Sequence, residues 1–272
     1  MLDVENLSIS FLRYDGLVHR REMQALEGID LSVARGEVLA LVGASGAGKS
    51  LLAHALFGIL PVNAVVRGSM RLDGTVLHDV HCGGIVNGRR MALVPQSLSH
   101  LDPLARCGRQ LQWAAKRGGT PRTKEQLAEA LDSFGLSPEV LTLYPHQVSG
   151  GMARRLMLAM ATIANPDLIV ADEPTSGLDP DVAGSVLGHL RRLADAGKAV
   201  LLITHDLVSA VSHSDRVAIL ESGRMAGIEP ADAFSGDGAK LTAPYARALW
   251  LAMPGNRFTV TTDGRGDIEC SS

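Results

Sequence analysis

Eight residues, Gly43-Ala-Ser-Gly-Ala-Gly-Lys-Ser50, offer the first chemistry in this sequence. Their spacing fits G-x-x-x-x-G-K-[ST]. Small side chains let backbone N–H groups turn inward as a nest for phosphate oxygens. A helix starting near Gly48 adds the positive end of its dipole. Lys49 can reach β/γ-phosphates, and the Ser50 hydroxyl can ligate Mg²⁺. A Gly-rich turn with a surface lysine would satisfy the same pattern, so the flanks decide. Val38-Leu-Ala-Leu-Val42 before it reads as a buried strand, and Leu51-Leu-Ala-His-Ala-Leu-Phe57 after it reads as a helix, the context a phosphate loop needs.

Two further stretches could act on a nucleotide. In Leu168-Ile-Val-Ala-Asp-Glu173 an apolar strand ends in carboxylates. Asp172 would then stand at the C-terminal edge of a sheet, beside the phosphate loop, where it can hold Mg²⁺. Glu173 could polarise a water for attack on a γ-phosphate. In Val148-Ser-Gly-Gly-Met152 small residues again open a helix, a second anion-seeking surface. Two such surfaces are hard to bring onto one ATP within one subunit.

The elements that must position these residues alternate. Val4–Phe11 and Ala25–Val33 read as strands, with a polar excursion at Arg13–Met23 expected as a surface loop or hairpin tip. Gly68–Leu72 and Val76-Leu77 flank the turn signal Asp73-Gly74. Buried strands are expected at Arg90–Val94, Asp167–Ala171, Ala199–Ile203 and Arg216–Leu220. Helices are expected at Thr123–Phe134 with Thr123 as N-cap, Gly150–Ala164, Asp181–Ala196, after Asp206, and at Pro244–Ala252. Strands alternating with helices argue for a mostly parallel α/β core, interrupted by a helical insertion at about 97–160. The methionines at 152, 157 and 160 suit core packing better than any ligand role. The tail, Gly255 to Ser272, is polar and expected to be poorly ordered.

Composition narrows the class. A 272-residue chain, 46% hydrophobic and 20% charged, with a formal net charge of −3, is ordinary globular material and gives no support for nucleic-acid binding. Cys82, Cys107 and Cys270 make neither a disulfide framework nor a C-x-x-C site, which suits a reducing compartment. The N-terminus lacks the pattern of a secretory signal, and no apolar run is long enough to span a bilayer. Any work at a membrane is therefore expected to go through partners.

Taken in order, these motifs resemble the ATP-binding subunits of ATP-binding-cassette (ABC) transporters, over about residues 2–235. The resemblance implies a RecA-like P-loop NTPase core with an antiparallel β subdomain and an inserted α-helical subdomain. An ABC ATPase domain would occupy 1–235, and 236–272 would be a C-terminal extension with one helix. Gly43, Ala44, Ser45, Gly46, Ala47, Gly48, Lys49 and Ser50, with Leu51 following, match the Walker A loop. Gln96 matches the Q-loop glutamine that contacts Mg²⁺ and the attacking water, near the docking membrane subunit. Ser149, Gly150 and Gly151 match the signature motif, which in the family reaches the ATP of the opposite subunit. Asp172 and Glu173 match the Walker B carboxylate and the catalytic base. Asp179 matches the D-loop at the dimer seam, and His205 the switch histidine, although a histidine after a strand can also be structural. Phe11, with Tyr14 as the alternative, stands where the family keeps an adenine-stacking aromatic.

Val148 and Met152 depart from the common signature Leu-Ser-Gly-Gly-Gln and resemble the peptide/nickel importer branch. So do Leu143–Met152, Ala171–Thr175 and Pro244–Leu249. Cys270 stands alone where many peptide-type members carry a cysteine-bearing tail, a likeness to the shorter nickel or metallophore importers. The implied function is an ATPase subunit powering import of nickel, metal chelate or di/oligopeptide from the cytoplasmic face of the inner membrane. ATP and Mg²⁺ are the implied cofactors. The implied partners are a second ATPase, as sister subunit or second copy, two permease subunits and, indirectly, a substrate-binding protein. A soluble ABC ATPase of translation or DNA-repair type is the competing reading. Such proteins usually carry two cassettes or a long coiled coil, and this sequence has neither.

Overall fold

The computed structural model describes residues 1–15, 19–77, 90–119 and 121–253. Cys82, Cys270 and the Gly255–Ser272 tail lie outside them. The centre is a six-stranded sheet in the order β10-β9-β3-β8-β7-β6. β3 (Val38–Val42), β6 (Met91–Val94), β7 (Leu168–Asp172), β8 (Ala199–Thr204) and β9 (Arg216–Glu221) run parallel, and β10 (Arg224–Pro230) pairs antiparallel at one edge.

The near-continuous apolar runs follow from burial on both faces. Successive side chains of a strand point to opposite faces. On one face Leu39, Leu41, Leu168, Val170, Leu201, Ile203, Ala218 and Leu220 pack with α1 (Lys49–Leu56). The same cluster includes the inner face of a second sheet, in the order β2-β1-β4-β5, where β1 is Leu2–Asp15, β2 His19–Val33, β4 Ala64–Leu72 and β5 Thr75–Val76. On the other face Ile169, Ala171, Val200 and Leu202 meet α4 (Gly150–Thr162) and α5 (Pro180–Asp195). Val42, Val217 and Ile219 meet α6 (Leu207–His213) and α7 (Pro244–Leu251).

Between β6 and β7 the described elements are helical: α2 (Cys107–Arg117), α3 (Lys124–Asp132), α4 and three 3-10 turns. Thr123 caps α3 as expected, in a reciprocal capping box with Gln126. Met157 is buried and Met152 and Met160 pack against the same apolar cluster, in keeping with a core role. No helix of the described residues is long and apolar enough to cross a membrane.

Of the two readings of Arg13–Met23 the hairpin holds, and one further strand, β10, was not foreseen. β1 (Leu2–Asp15) and β2 (His19–Val33) keep pairing through the polar stretch, with Arg13 opposite Arg21 and Asp15 opposite His19. Backbone pairing satisfies the chain there whether or not a face is buried, so polar residues do not end the ladder. The edge strand β10 also lacks a clear apolar pattern. The Ser222-Gly223 dipeptide, with positive φ values of +47° and +80°, makes the two-residue hairpin turn joining it to β9.

The four-stranded sheet, whose remaining members are β4 (Ala64–Leu72) and β5 (Thr75–Val76), is also tied to the core by charge. Arg35 bonds Asp73 at 2.7 Å and Asp167 at 3.3 Å, while Arg90 bonds the same two carboxylates. These groups are half-exposed, so each pair is worth at most about 1 kcal/mol.

Candidate functional site

Four adjacent parallel strands, β3, β8, β7 and β6, end at the same edge of the sheet. Each is followed by residues that the sequence singled out. Gly43–Gly48 follow β3, His205 follows β8, Asp172 and Glu173 close β7, and Gln96 comes two residues after β6. Positions more than 150 residues apart are thereby gathered at the carboxyl edge, where open α/β sheets bind ligands.

A cavity of about 690 Å³ opens there, lined by Ser45, Gly46, Gly48, Lys49, Ser50, Leu51, Gln96, Glu173 and His205. The loop's shape depends on its glycines at two points. A Cβ on Gly43 would stand 2.3 Å from the Leu220 carbonyl oxygen, and Gly48 has φ +104° with a Cβ position 2.4 Å from Leu26. Gly48 also caps α1 without a side-chain bond, so the first N–H groups of that helix keep their capacity for an anion.

Lys49 is 7% exposed. Its Nζ donates to the carbonyls of Gly43 at 2.7 Å and Ala44 at 3.0 Å. Burial holds its ammonium below the ordinary lysine value, and the charges of Glu173 and Asp172 pull it back up. Asp172 is pushed above the usual carboxylate range, chiefly by burial; the Ser50 hydroxyl bonded to it acts in the opposite direction. Its Oδ1 is buried without a hydrogen-bond partner. A buried, unpartnered carboxylate oxygen beside a hydroxyl is a hard-oxygen pair suited to Mg²⁺, so the residues present fit that ion. Among the described residues there is no cluster of three or more His, Cys, Asp or Glu side chains able to cage a metal.

Glu173 is 7% exposed and has φ +49°, a left-handed conformation that costs a non-glycine residue about 1–2 kcal/mol. Its N–H donates to the Ile203 carbonyl, and its own carbonyl accepts from Ser176 N–H. These bonds fix the turn that aims the carboxylate into the cavity. His205 Nδ1 meets both carboxylate oxygens, at 2.8 and 2.7 Å. A carboxylate only accepts, so Nδ1 carries the proton.

Other singled-out residues lie elsewhere. Ser149 and Gly150 are exposed, and Gly151 is half-buried at the start of α4. Ser149 caps that helix, its Oγ accepting from Met152 N–H at 3.3 Å. None of the three lines the phosphate-loop cavity. Asp179 caps α5, its Oδ1 accepting from Val182 N–H at 3.0 Å. Phe11 packs half-buried against the core cluster and is not among the cavity-lining residues; Tyr14's side chain lies outside the described set.

The cavity wall also contains Gln24, Ala25, Ser222 and Gly223, which sequence reasoning missed. Gly223 N–H donates to Ala47 in the phosphate loop, and its carbonyl accepts from Glu27 in β2. The Ser-Gly dipeptide could have flagged the turn, but nothing in it pointed to this site.

A family model described as ABC transporter matches residues 26–176. The oligopeptide transport ATP-binding protein OppD of Mycobacterium tuberculosis is 37% identical over 235 residues. That match covers 83% of this chain and 38% of the mycobacterial protein, so the chain corresponds to well under half of that relative. The probable peptide ABC transporter ATP-binding protein y4tR of Sinorhizobium fredii is 35% identical over 271 residues, covering 94% of this chain and 78% of that protein. Among solved structures, the dimeric structure of the bacterial ABC transporter cassette MJ0796 matches with a TM-score of 0.75 at 23% identity. It covers 85% of this chain and 99% of that one, a likeness of fold.

Proposed function

The chain belongs to the ABC transporter family, and on that premise we propose that it is the ATP-binding and ATP-hydrolysing subunit of an importer. The observation that carries this reading is the gathering of Lys49, Ser50, Gln96, Asp172, Glu173 and His205 at one sheet edge, apart from Ser149–Gly151. A site whose second anion surface lies outside its own cavity is completed by a second ATPase subunit. The neighbour MJ0796, whose structure is described as dimeric, supports that arrangement.

The phosphate-loop N–H groups and Lys49 bind the β/γ-phosphates and hold them in place. Ser50, Asp172 and Gln96 would hold Mg²⁺, which when bound neutralises charge on the phosphate oxygens. Glu173 takes the proton of the attacking water, and the left-handed turn keeps its carboxylate aimed at that position. His205, bonded to Glu173 at the same edge, would stabilise the γ-phosphoryl. Ser149–Gly151 address the ATP held by the partner, so ATP joins the two subunits only when they are closed.

An apolar groove of about 520 Å³ runs beside Gln96, lined by Ile59, Met91, Pro95, Leu101, Met157 and others. It supports docking of a permease subunit at the cytoplasmic face of the inner membrane. The relatives' names support peptide-class cargo rather than nickel.

Glu173→Gln tests the reading. It keeps ATP affinity and lowers turnover by about 10²–10⁴ in the assembled transporter. A steady-state rate near wild type would remove Glu173 from the base role.

A further inference from the structure

Arg154, in the second turn of α4, is 5% exposed. Its Nη1 donates to the main-chain oxygens of Pro95, at 3.2 Å, and Gln96, and its Nη2 to that of Ser176 at 3.3 Å. Burial lowers its pKa, with the charge of Glu173 acting in the opposite direction. A guanidinium in a buried place is costly unless its donors are used, and the planar fork suits three fixed carbonyls in a way an ammonium does not.

Those carbonyls belong to two different loops. One carries Gln96, and the other joins Glu173 to the Asp179 cap. Arg154 itself belongs to the helix that begins at Ser149. A single side chain therefore joins three pieces that the proposed reaction needs in register. The next residue provides a contrast. Arg155 donates to the carbonyls of Phe134, Gly135 and Gly151, all within the helical stretch between β6 and β7.

We infer that Arg154 is a positioning residue for ATP hydrolysis, fixing the Gln96 loop and the Ser176 loop to the first turns of α4 so that all three are placed as one unit. It does not line the nucleotide cavity, so it acts through the groups it holds. The inference rests on the proposed roles of Gln96 and Glu173. Displacing a positioned group by about 1 Å can slow a reaction by about 10²-fold, which sets the size of the effect.

The test measures ATP turnover and ATP affinity in the assembled transporter. Arg154→Met is expected to lower kcat by about 10- to 100-fold while the ATP Kd stays within about twofold. Arg155→Met removes the same charge one position along and is expected to keep kcat within about threefold. The double variant Gln96→Ala/Arg154→Met is expected to be no slower than the slower single variant by more than about twofold, since two residues acting as one unit are not additive. Wild-type kcat in Arg154→Met, an equal loss in Arg155→Met, or fully multiplicative losses in the double variant would each overturn the inference. If Arg154→Met does not fold, Arg154→Lys, which keeps the charge and loses the fork, is held to the same numbers. Glu173→Gln runs in parallel. If it turns over normally, the functional reading fails; if it is slow while Arg154→Met is fast, only this inference fails.

Discussion

Replacing Gly223 by alanine probes how the nucleotide cavity is held together, at a residue outside every motif. Gly223 has φ +80°, and a Cβ there would stand 2.4 Å from the Ala25 carbonyl oxygen and 3.2 Å from its carbon. Ordinary contact begins at 3.4 Å, and the obstructing atoms are strand backbone with no rotamer to escape into. The left-handed conformation alone costs alanine about 1–2 kcal/mol, and forcing β2 aside adds about 1–3 kcal/mol. Gly197→Ala separates the two terms, because Gly197 has φ +88° and nothing within 4 Å of its Cβ position. By thermal denaturation Gly223→Ala should melt about 2–12 °C below Gly197→Ala. Calorimetry should add a second difference. The Gly223 N–H holds the Ala47 carbonyl of the phosphate loop, and losing about 1 kcal/mol there weakens ATP binding about fivefold. Gly197→Ala should bind ATP normally. Equal melting and equal affinity in the two variants would refute the claim that this turn braces the cavity.

Three other outcomes are expected. Lys49→Ala should weaken ATP binding itself, measured by calorimetry, since the ammonium sits in the phosphate loop; unchanged affinity would contradict the assignment. Ser149→Arg should leave ATP binding by the single subunit intact but block ATP-dependent dimerisation, scored by light scattering. His189, its ring centroid 3.8 Å from that of Phe134, has its pKa lowered from 6.5 to about 4 by burial and then by Arg192. The native state keeps this imidazole neutral, so its contribution is complete above about pH 6.5 and is lost as pH falls toward about 4. At 1.36 kcal/mol per pH unit that gap is worth about 3 kcal/mol, trimmed to about 1–2 by solvent at a partly covered ring. Denaturant midpoints at pH 7 and 4.5 should therefore converge in His189→Phe, and an unaltered pH dependence would dismiss His189 as its source.

Much of the molecule was legible from local rules. Buried parallel strands announce themselves as unbroken apolar runs, and Val38–Val42, Leu168–Asp172 and Ala199–Thr204 were recognisable within a residue or two. Thr123 spells a helix start because a cap is settled locally, here within the four residues 123–126. Harder were the elements whose reason is not local. β10 and the outer part of the β1–β2 hairpin lack a regular apolar alternation and pair with a neighbour's backbone, which no periodicity reports.

The phosphate loop and the carboxylate-ended strand were determined by sequence alone, because their chemistry depends on residues adjacent along the chain. Tertiary structure decided which separated groups share a wall. The parallel order β3-β8-β7-β6 brings His205 onto Glu173 and leaves Ser149 outside. It also turns an unremarked Ser222-Gly223 hairpin into a brace for the loop, and buries Arg154 among the carbonyls of Pro95, Gln96 and Ser176. Contacts across such distances depend on strand order and register, which are set by how whole faces bury against one another, and a string of residue types does not display that.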